Sequence, residues 1–319
     1  MCSSDLASRA DLMRSYIYGA IIYSSIADQY DDFAFSNKTV AAAPVGRANM
    51  GRLYDTSVGY LDKALAIATS NSDKYTILAL RARAKHGKGA WAKVTPKGTA
   101  APANPLVNDA GAVADATAAI ALAAPDATVD LINNVEATAG TNIWYEVNGR
   151  NESAPGKVYV VDPTGTTNKY VAAIKDPISG TADPRMQARL TAFKAFGTTA
   201  GTLWITSTRE LRLILAEAAL ASGNTAEFTT QINTVRALDG KPAFAGQIAN
   251  QDMLVYERQI QLWLMRRRLI DMARFGIKDP KWTSNASYDN LFSSTGLLFP
   301  IANVERQANP CIADATKCK

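Results

Sequence analysis

The residue best suited to acid–base or metal chemistry in this 319-residue chain is its single histidine, His86. It lies in the basic stretch of residues 81–88, RARAKHGK. A nucleophilic serine or cysteine needs an imidazole beside it, and a histidine-based metal site needs more than one. A lone histidine within a basic predicted helix therefore argues against both kinds of site, and we predict no metal and no cofactor.

Two basic features could indicate phosphate or nucleic-acid binding. Residues 85–89, KHGKG, lack the glycine spacing of a phosphate-binding loop and follow no predicted strand. Residues 266–268 are three consecutive arginines, but successive positions on a helix point to different faces. The formal net charge of +5 is modest for this length. We therefore expect no nucleic-acid partner.

Paired carboxylates are a further route to catalysis. Asp31 and Asp32 are adjacent, and we interpret them as part of a solvated loop. A glycosidase uses two carboxylates that need not be neighbours in the sequence, so a secreted glycan hydrolase stays an alternative. It would lose turnover on removal of two specific acids. We predict that the chain is not an enzyme and has no catalytic residue.

Two short segments mix aromatic and polar side chains, as a sugar site requires. Sugar rings present apolar C–H faces and a rim of hydroxyls, so aromatic platforms must stand beside amide, guanidinium or carboxylate groups. The segments are residues 142–150, NIWYEVNGR, and residues 30–35, YDDFAF. The alternative is that these rings only pack loops onto helices, and we interpret Trp204 and Trp263 as core residues on or beside helical stripes. The predicted ligand-binding residues are Trp144, Tyr145, Asn148, Arg150, Tyr30 and Phe33.

The elements that must position these residues begin with helices. Apolar residues recur every three or four positions over residues 10–30, 49–68 and about 75–91, and a weaker alanine-rich helix is predicted over 109–124.

Residues 125–201 lose this helical periodicity and are rich in Gly, Pro, Asn and Thr. Residues 157–161, KVYVV, are a short β-like piece, and residues 183–185, DPR, are interpreted as a turn. Binding residues commonly lie on loops held by rigid helices, so we predict that this irregular segment forms the ligand face.

Helical spacing returns in the C-terminal part. Residues 207–222 and 225–238 predict two amphipathic helices joined by Gly223-Asn224, and so short a connection forces an antiparallel hairpin. Small alanines on the first helix allow the close packing of tetratricopeptide-type hairpins. Residues 250–276 predict one long amphipathic helix. The predicted fold class is mostly α: tetratricopeptide-like hairpins form an α-α superhelix with an irregular, loop-rich insertion that has few short strands.

Four sequence elements occur in a distinctive order. They are Ala-Glu-Ala at residues 216–218, INTVR at 232–236, Glu257-Arg258 followed by RLIDMARF at 268–275, and FPIA at 299–302 with Glu305 and Asn309-Pro310 downstream. In this order they resemble the C-terminal half of the SusD/RagB family of outer-membrane nutrient-binding lipoproteins, which are similar to the starch-utilisation-system proteins. The sequence departs from the pattern at Gln261, where an acid is usual, and at Ala302, where a second proline is missing.

The resemblance implies a division of the chain and a function. Residues 1–319 would form a single unit, with helical hairpins at 9–124, the ligand-face segment at 125–203 and the family-like helical region at 204–319. The protein would be an outer-leaflet lipoprotein of the cell outer membrane, exported by a signal peptide. It would capture an oligosaccharide or other polymer fragment and deliver it to a TonB-dependent, SusC-like β-barrel transporter without breaking a bond. The alternative is a helical-repeat scaffold that binds a protein or peptide partner.

The family motif also places charged residues whose role we predict to be structural. Arg267 and Arg274 lie four before and three after Asp271, so the three can form an ion-paired strip on one helix. Glu257 and Arg258 open the same predicted helix motif.

The three cysteines of the chain indicate the cellular compartment in which the protein folds. Cys311 and Cys318 are close enough to close a small disulfide loop in an oxidising compartment. The family implies a lipid anchor on the native N-terminal cysteine, but Met1 alone precedes Cys2 and no signal sequence stands before it. We therefore expect an N-terminally truncated sequence and assign no function to Cys2.

Overall fold

Four helices make up the N-terminal part of the chain. The structure is a computed structural model that describes residues 8–36, 41–94, 101–132, 143–151, 153–165, 167–197, 202–277, 298–299 and 301–317. Three of the four helices begin at a side-chain cap, at Ser8, Ser70 and Asp109. The helices are α1 (Arg9–Gln29), α2 (Arg52–Ile67), α3 (Asn71–Lys93) and α4 (Ala110–Ile120).

These helices pack as consecutive hairpins, α1 on α2, α2 on α3 and α3 on α4, and α4 in turn packs on the C-terminal hairpin. Alanines at the contacts, among them Ala20, Ala64, Ala79 and Ala116, are buried and let the backbones approach closely. The mostly α-helical, hairpin-based fold predicted from the sequence is confirmed.

The middle segment contains a few short strands, as predicted, but at other positions, and it also contains a helix that was not predicted. Strands β1 (Thr128–Ile132) and β2 (Thr202–Ser207) pair antiparallel, with Thr128 opposite Ser207. Helix α5 (Pro184–Ala195) lies where we predicted only irregular structure. The predicted turn at 183–185 is the start of this helix, because the Asp183 side chain caps it and a proline is well placed in a first helical turn. The β-like residues 157–161 form a turn and one isolated bridge, Val160 to Ala172.

The predicted C-terminal hairpin is confirmed, with α6 (Thr208–Ala221) and α7 (Thr225–Ala237). Gly223, at φ 78°, takes the left-handed conformation that reverses the chain, and Asn224 caps α7.

The single long helix predicted over residues 250–276 is wrong. The chain forms α8 (Asn250–Gln261) and α9 (Arg268–Phe275), and between them Leu264 and Arg266 have φ of 62° and 61°. Two short helices, α10 (Asn303–Ala308) and α11 (Pro310–Ala313), follow near the C-terminus. None of the helices in the described parts of the chain has the length and apolar character needed to cross a membrane.

Three apolar clusters form the interior of the described residues. One joins the N-terminal helices to α6 through residues such as Leu61, Ile77 and Leu211. The second centres on Tyr54 and Trp91. The third, the largest, joins the middle segment to α5 and to the C-terminal helices, and the cavity described below lies against it.

Cys311 is buried and disulfide-bonded. Its predicted partner Cys318 lies outside the described residues, as does Cys2. The pairing with Cys318 therefore stays a prediction.

Candidate ligand-binding site

The chain between α8 and α9, residues 262–267, forms one wall of a cavity of about 600 Å³. We call it the aromatic cavity. Trp263, Leu264 and Arg266 line it from this turn, and Arg268 and Leu269 line it from the start of α9.

The other walls come from several separate parts of the chain. β2 contributes Trp204, α5 contributes Phe193, the π-helical turn Tyr145–Gly149 is preceded by Trp144, and residues 153–156 lead to Tyr159. Phe299, which is half exposed, also lines the cavity. Six aromatic side chains from separate elements therefore meet around one space: Trp144, Tyr159, Phe193, Trp204, Trp263 and Phe299.

The chain leaves the helical conformation here despite a sequence rich in helix formers. Leu262, Trp263 and Met265 are all buried in the turn. Left-handed φ at a residue other than glycine costs about 1–2 kcal/mol, and Leu264 and Arg266 each adopt it. Packing of the three apolar side chains outweighs this strain.

A buried ionic cluster behind the turn holds it in place. We call it the Asp28–Glu210 cluster: two carboxylates, Asp28 and Glu210, and two arginines, Arg83 and Arg267. Arg267 donates to Asp28 Oδ1 at 2.7 Å and to Glu210 Oε1 at 3.0 Å, and Arg83 donates to Glu210 Oε2 at 2.7 Å. Arg83 also donates to the carbonyl of Met265 inside the turn.

The cluster contains two carboxylates and two guanidinium groups, and Glu210 stays ionised. Burial alone raises the pKa of Glu210, but the charges of Arg83 and Arg267 outweigh it and hold that pKa at about 2. Arg266 is a third arginine beside the cluster. Burial lowers the pKa of Arg266 to about 10, and the neighbouring Arg83 adds to this effect.

Two polar groups on the cavity wall have no partner within the described residues. The indole Nε1 of Trp144 makes no hydrogen bond, and the Trp144 side chain is only 1% exposed. The Nε of Arg266 is likewise buried and makes no hydrogen bond. Both groups are hydrogen-bond donors, and neither atom is in contact with solvent, so they lie just behind the cavity surface.

The residues predicted to be structural are buried and ion-paired, although the pairing differs from the prediction. Asp271 accepts from Arg274 at 2.8 Å and from Arg258 at 2.9 Å, whereas Arg267 does not join it. The turn before α9 directs Arg267 to the Asp28–Glu210 cluster instead, so the predicted strip of three on one helix is wrong. Arg274 also pairs with Glu217 of α6.

His86 and Glu257 belong to further buried polar groups. Nε2 of His86 lies 2.9 Å from Glu217 Oε2, and burial lowers the pKa of the imidazole. Glu257 accepts from Arg236 at 2.7 Å and from Arg185 at 2.8 Å, which ties α8 to α7 and α5. Among the described residues, no group of three or more His, Cys, Asp or Glu side chains is arranged to hold a metal ion.

The first predicted binding segment lies on the cavity, but most of its predicted binding residues pack against or bond to other residues of the protein. Trp144 packs against Phe193, with ring centroids 6.3 Å apart. The Asn148 amide donates to the Phe193 carbonyl at 3.1 Å and accepts from the Tyr170 hydroxyl. Arg150 is exposed and lies 3.5 Å from Glu146. Tyr145 is half-buried and follows Trp144 in the π-helical turn.

The second predicted segment is adjacent to the cavity through Phe299. The Tyr30 ring lies 6.2 Å from the Phe299 ring and 5.5 Å from Phe33, and the Asp31 N–H donates to the Phe299 carbonyl at 2.9 Å. Asp31, predicted to be solvated, is buried and accepts from Arg47 at 2.6 Å. Tyr30 and Phe33 do not themselves line the cavity among its described wall residues.

Several cavity residues were not predicted as binding residues. Trp204 and Trp263 were interpreted as core on or beside helical stripes. The core position is confirmed, since Trp263 is buried in the largest apolar cluster and Trp204 packs against it, but Trp204 lies in β2 and Trp263 in the turn, and both also line the cavity. No local signal marks these residues, since α6 and α9 also bury runs of four and five consecutive residues.

A second, more polar cavity of about 510 Å³ is also lined by Trp204. Arg189 and Arg209 line it and both donate to Gln261, at 3.2 and 3.1 Å. Its arginines are accompanied by Asp126 and Asp239, so its charges are largely paired. The aromatic cavity is the better candidate for a ligand because its two arginines, Arg266 and Arg268, form no salt bridge with the described residues.

Comparison with known proteins gives one structural match. No protein-family model matches the sequence, and no curated protein matches it. A solved structure described as a SusD-like carbohydrate binding protein from Bacteroides vulgatus ATCC 8482 is similar, with 14% sequence identity and a TM-score of 0.44. The similarity covers 82% of this chain and 62% of that one, so this chain spans less than two thirds of its length.

Proposed function

We propose that this chain is a non-enzymatic, glycan-binding lipoprotein of the bacterial outer membrane that holds an oligosaccharide in the aromatic cavity. The observation that carries the proposal is the convergence of six aromatic side chains on a cavity of about 600 Å³. Ligand sites commonly have volumes of roughly 300–1,000 Å³ and apolar walls with a few polar groups. Among these rings Tyr159, Trp204 and Phe299 are partly exposed and match the C–H faces of sugars, and the guanidinium groups of Arg266 and Arg268 match their oxygens.

Binding without cleavage fits the distribution of acids. A glycosidase needs a general acid whose pKa is raised and a second carboxylate across the scissile bond. The described residues that line the aromatic cavity include no Asp or Glu. Nearby, the Asp28–Glu210 cluster uses its carboxylates to neutralise arginines, and the pKa of Glu210 is lowered rather than raised.

Delivery to a TonB-dependent transporter and anchoring by a lipid belong to the same proposal. They are supported by the ordered motifs at residues 216–218, 232–236, 257–275 and 299–310, which resemble the SusD/RagB family. Co-purification from the native membrane tests this part, since a lipoprotein of this kind should be recovered with a large β-barrel protein. Recovery with soluble partners alone would contradict it.

Trp204 gives the sharpest test of the cavity. It is partly exposed, and its ring lies 6.5 Å from that of Trp263. Trp204→Leu keeps apolar packing but removes the flat ring, so an oligosaccharide found by array screening should bind more weakly by about 1–3 kcal/mol in calorimetry. Tyr18→Leu is the matched control, because Tyr18 is half exposed on α1 and does not line the cavity. Equal affinity for both variants would show that the ligand binds elsewhere.

A further inference from the structure

The aromatic cavity has a positively charged end. Arg266 and Arg268 both line it, whereas the described lining residues include no carboxylate. Resting on the function proposed above, we infer that the cavity selects an anionic saccharide, one with a carboxylate or sulfate group, and that Arg266, assisted by Arg268, binds this group.

The charge of Arg266 is the first step of the argument. Behind the cavity, Arg83 and Arg267 are matched by Asp28 and Glu210, with donor–acceptor distances from 2.7 to 3.2 Å. Arg266 stands beside this balanced cluster and, within the described part of the chain, forms no salt bridge of its own. The positive charge of Arg266 is therefore not balanced by a carboxylate of the cluster. The side chain is partly exposed and lines the cavity, so a ligand there can reach it.

Unused hydrogen bonds are the second step. The Arg266 Nε and the Trp144 Nε1 are buried donors without acceptors among the described residues, and both side chains line the cavity. These two atoms are out of contact with solvent, but Arg266 as a whole is partly exposed, and a guanidinium gains more from a charged acceptor than from a neutral hydroxyl. An anionic oxygen supplies both the countercharge and the acceptor.

The protonation state of Arg266 agrees with this role. Its pKa of about 10 is lower than that of an ordinary arginine because of burial and because of Arg83, but it leaves the guanidinium charged at neutral pH. Arg268 adds a second cation at the same end, from the first turn of α9. Guanidinium groups bind carboxylates and sulfates through paired N–H donors.

The test compares matched ligands on the intact chain. Uronate-containing tetrasaccharides are titrated calorimetrically against their carboxyl-reduced neutral forms, and sulfated tetrasaccharides against their desulfated forms. We expect at least one acidic member to bind about tenfold more tightly than its neutral counterpart. Which pair shows the difference distinguishes a carboxylate from a sulfate. Added salt should weaken the acidic member and leave the neutral one unchanged.

Arg266→Gln should abolish the preference, whereas Arg52→Gln, at an exposed arginine outside the cavity, should keep it. Arg268→Gln should reduce it and provides a second variant if Arg266→Gln does not fold. Neutral members that bind as tightly as acidic ones would overturn the inference while the proposed function stands. A preference that persists in both cavity variants would overturn it as well. Failure of every member to bind would refute the proposed function and this inference together.

Discussion

Replacing Glu210 with glutamine is expected to destabilise the protein strongly, because Glu210 neutralises two buried arginines. Its carboxylate is fully buried and accepts from Arg83 at 2.7 and 2.8 Å and from Arg267 at 3.0 Å. A glutamine of the same size offers one acceptor oxygen and turns an NH₂ group toward guanidinium donors. Asp28 would then be the remaining carboxylate of the Asp28–Glu210 cluster to balance both arginines.

The size of the effect follows from two independent estimates. Breaking a buried ion pair by removing one partner costs about 3–5 kcal/mol. A shift of the Glu210 pKa from its ordinary value of 4.5 to about 2 corresponds to roughly 3 kcal/mol of favourable interaction with the charged form. We therefore expect the free energy of unfolding to fall by about 3–4 kcal/mol, with a drop in melting temperature of roughly 6–15 °C.

Urea unfolding followed by tryptophan fluorescence and by circular dichroism measures this change. Glu227→Gln is the matched control, because Glu227 is half-buried and contacts the Gln231 amide rather than an arginine. It should cost about 0.5 kcal/mol or less. If Glu210→Gln lowered stability by no more than this control does, the Asp28–Glu210 cluster would not hold the fold as argued.

Three further predictions concern pH, close packing and backbone strain. Because the folded-state pKa of Glu210 is depressed, its stabilisation is full above its ordinary pKa of 4.5 and is lost as the pH falls toward about 2; the urea midpoint should drop over this range, less steeply in Glu210→Gln. Gly87→Ala should destabilise by about 1–3 kcal/mol, because its Cβ would lie 2.5 Å from Cε1 of Tyr54. Gly59→Ala, with open space at that position of α2, should instead stabilise by about 0.5–1 kcal/mol, and equal melting temperatures for the two variants would contradict this argument. Arg266→Gly should raise stability by about 1 kcal/mol by relieving the strain at φ 61°, as thermal unfolding would show, while calorimetry shows loss of an anionic ligand; an unchanged or lower melting temperature would refute the strain.

Local patterns were enough to predict most of the helices. The hairpin of α6 and α7 could be predicted from apolar spacing and from Gly223-Asn224, since both signals act within a few residues. Helix α5 was missed although Met186, Leu190 and Phe193 have helical spacing and are buried. The proline at its start was taken for a turn, whereas it occupies the first helical turn, where no hydrogen bond is lost.

The candidate site was less predictable because its parts come from distant positions in the sequence. Asp28 and Arg267 are 239 residues apart and meet at 2.7 Å. No local pattern indicates such a pair, and helix propensity favours continuity through residues 262–267. The break depends on which side chains the rest of the protein buries. A sequence-based prediction therefore placed Trp263 on a helix and assigned Arg267 to the wrong carboxylate.

The arrangement of the Asp28–Glu210 cluster explains how a strained turn can serve as a binding wall. Buried ion pairs add little net stability compared with apolar packing, but they fix the relative position of the elements that contribute them. Here Arg83 of α3 donates to the Met265 carbonyl, and Arg267 donates to the Arg83 carbonyl at 2.5 Å. These bonds tie both ends of the turn to α3, so Trp263, Leu264 and Arg266 are held on the cavity wall. For the ligand proposed above, a wall that is already ordered lowers the ordering cost of binding, which is a physical reason for retaining both the strain and the buried charge.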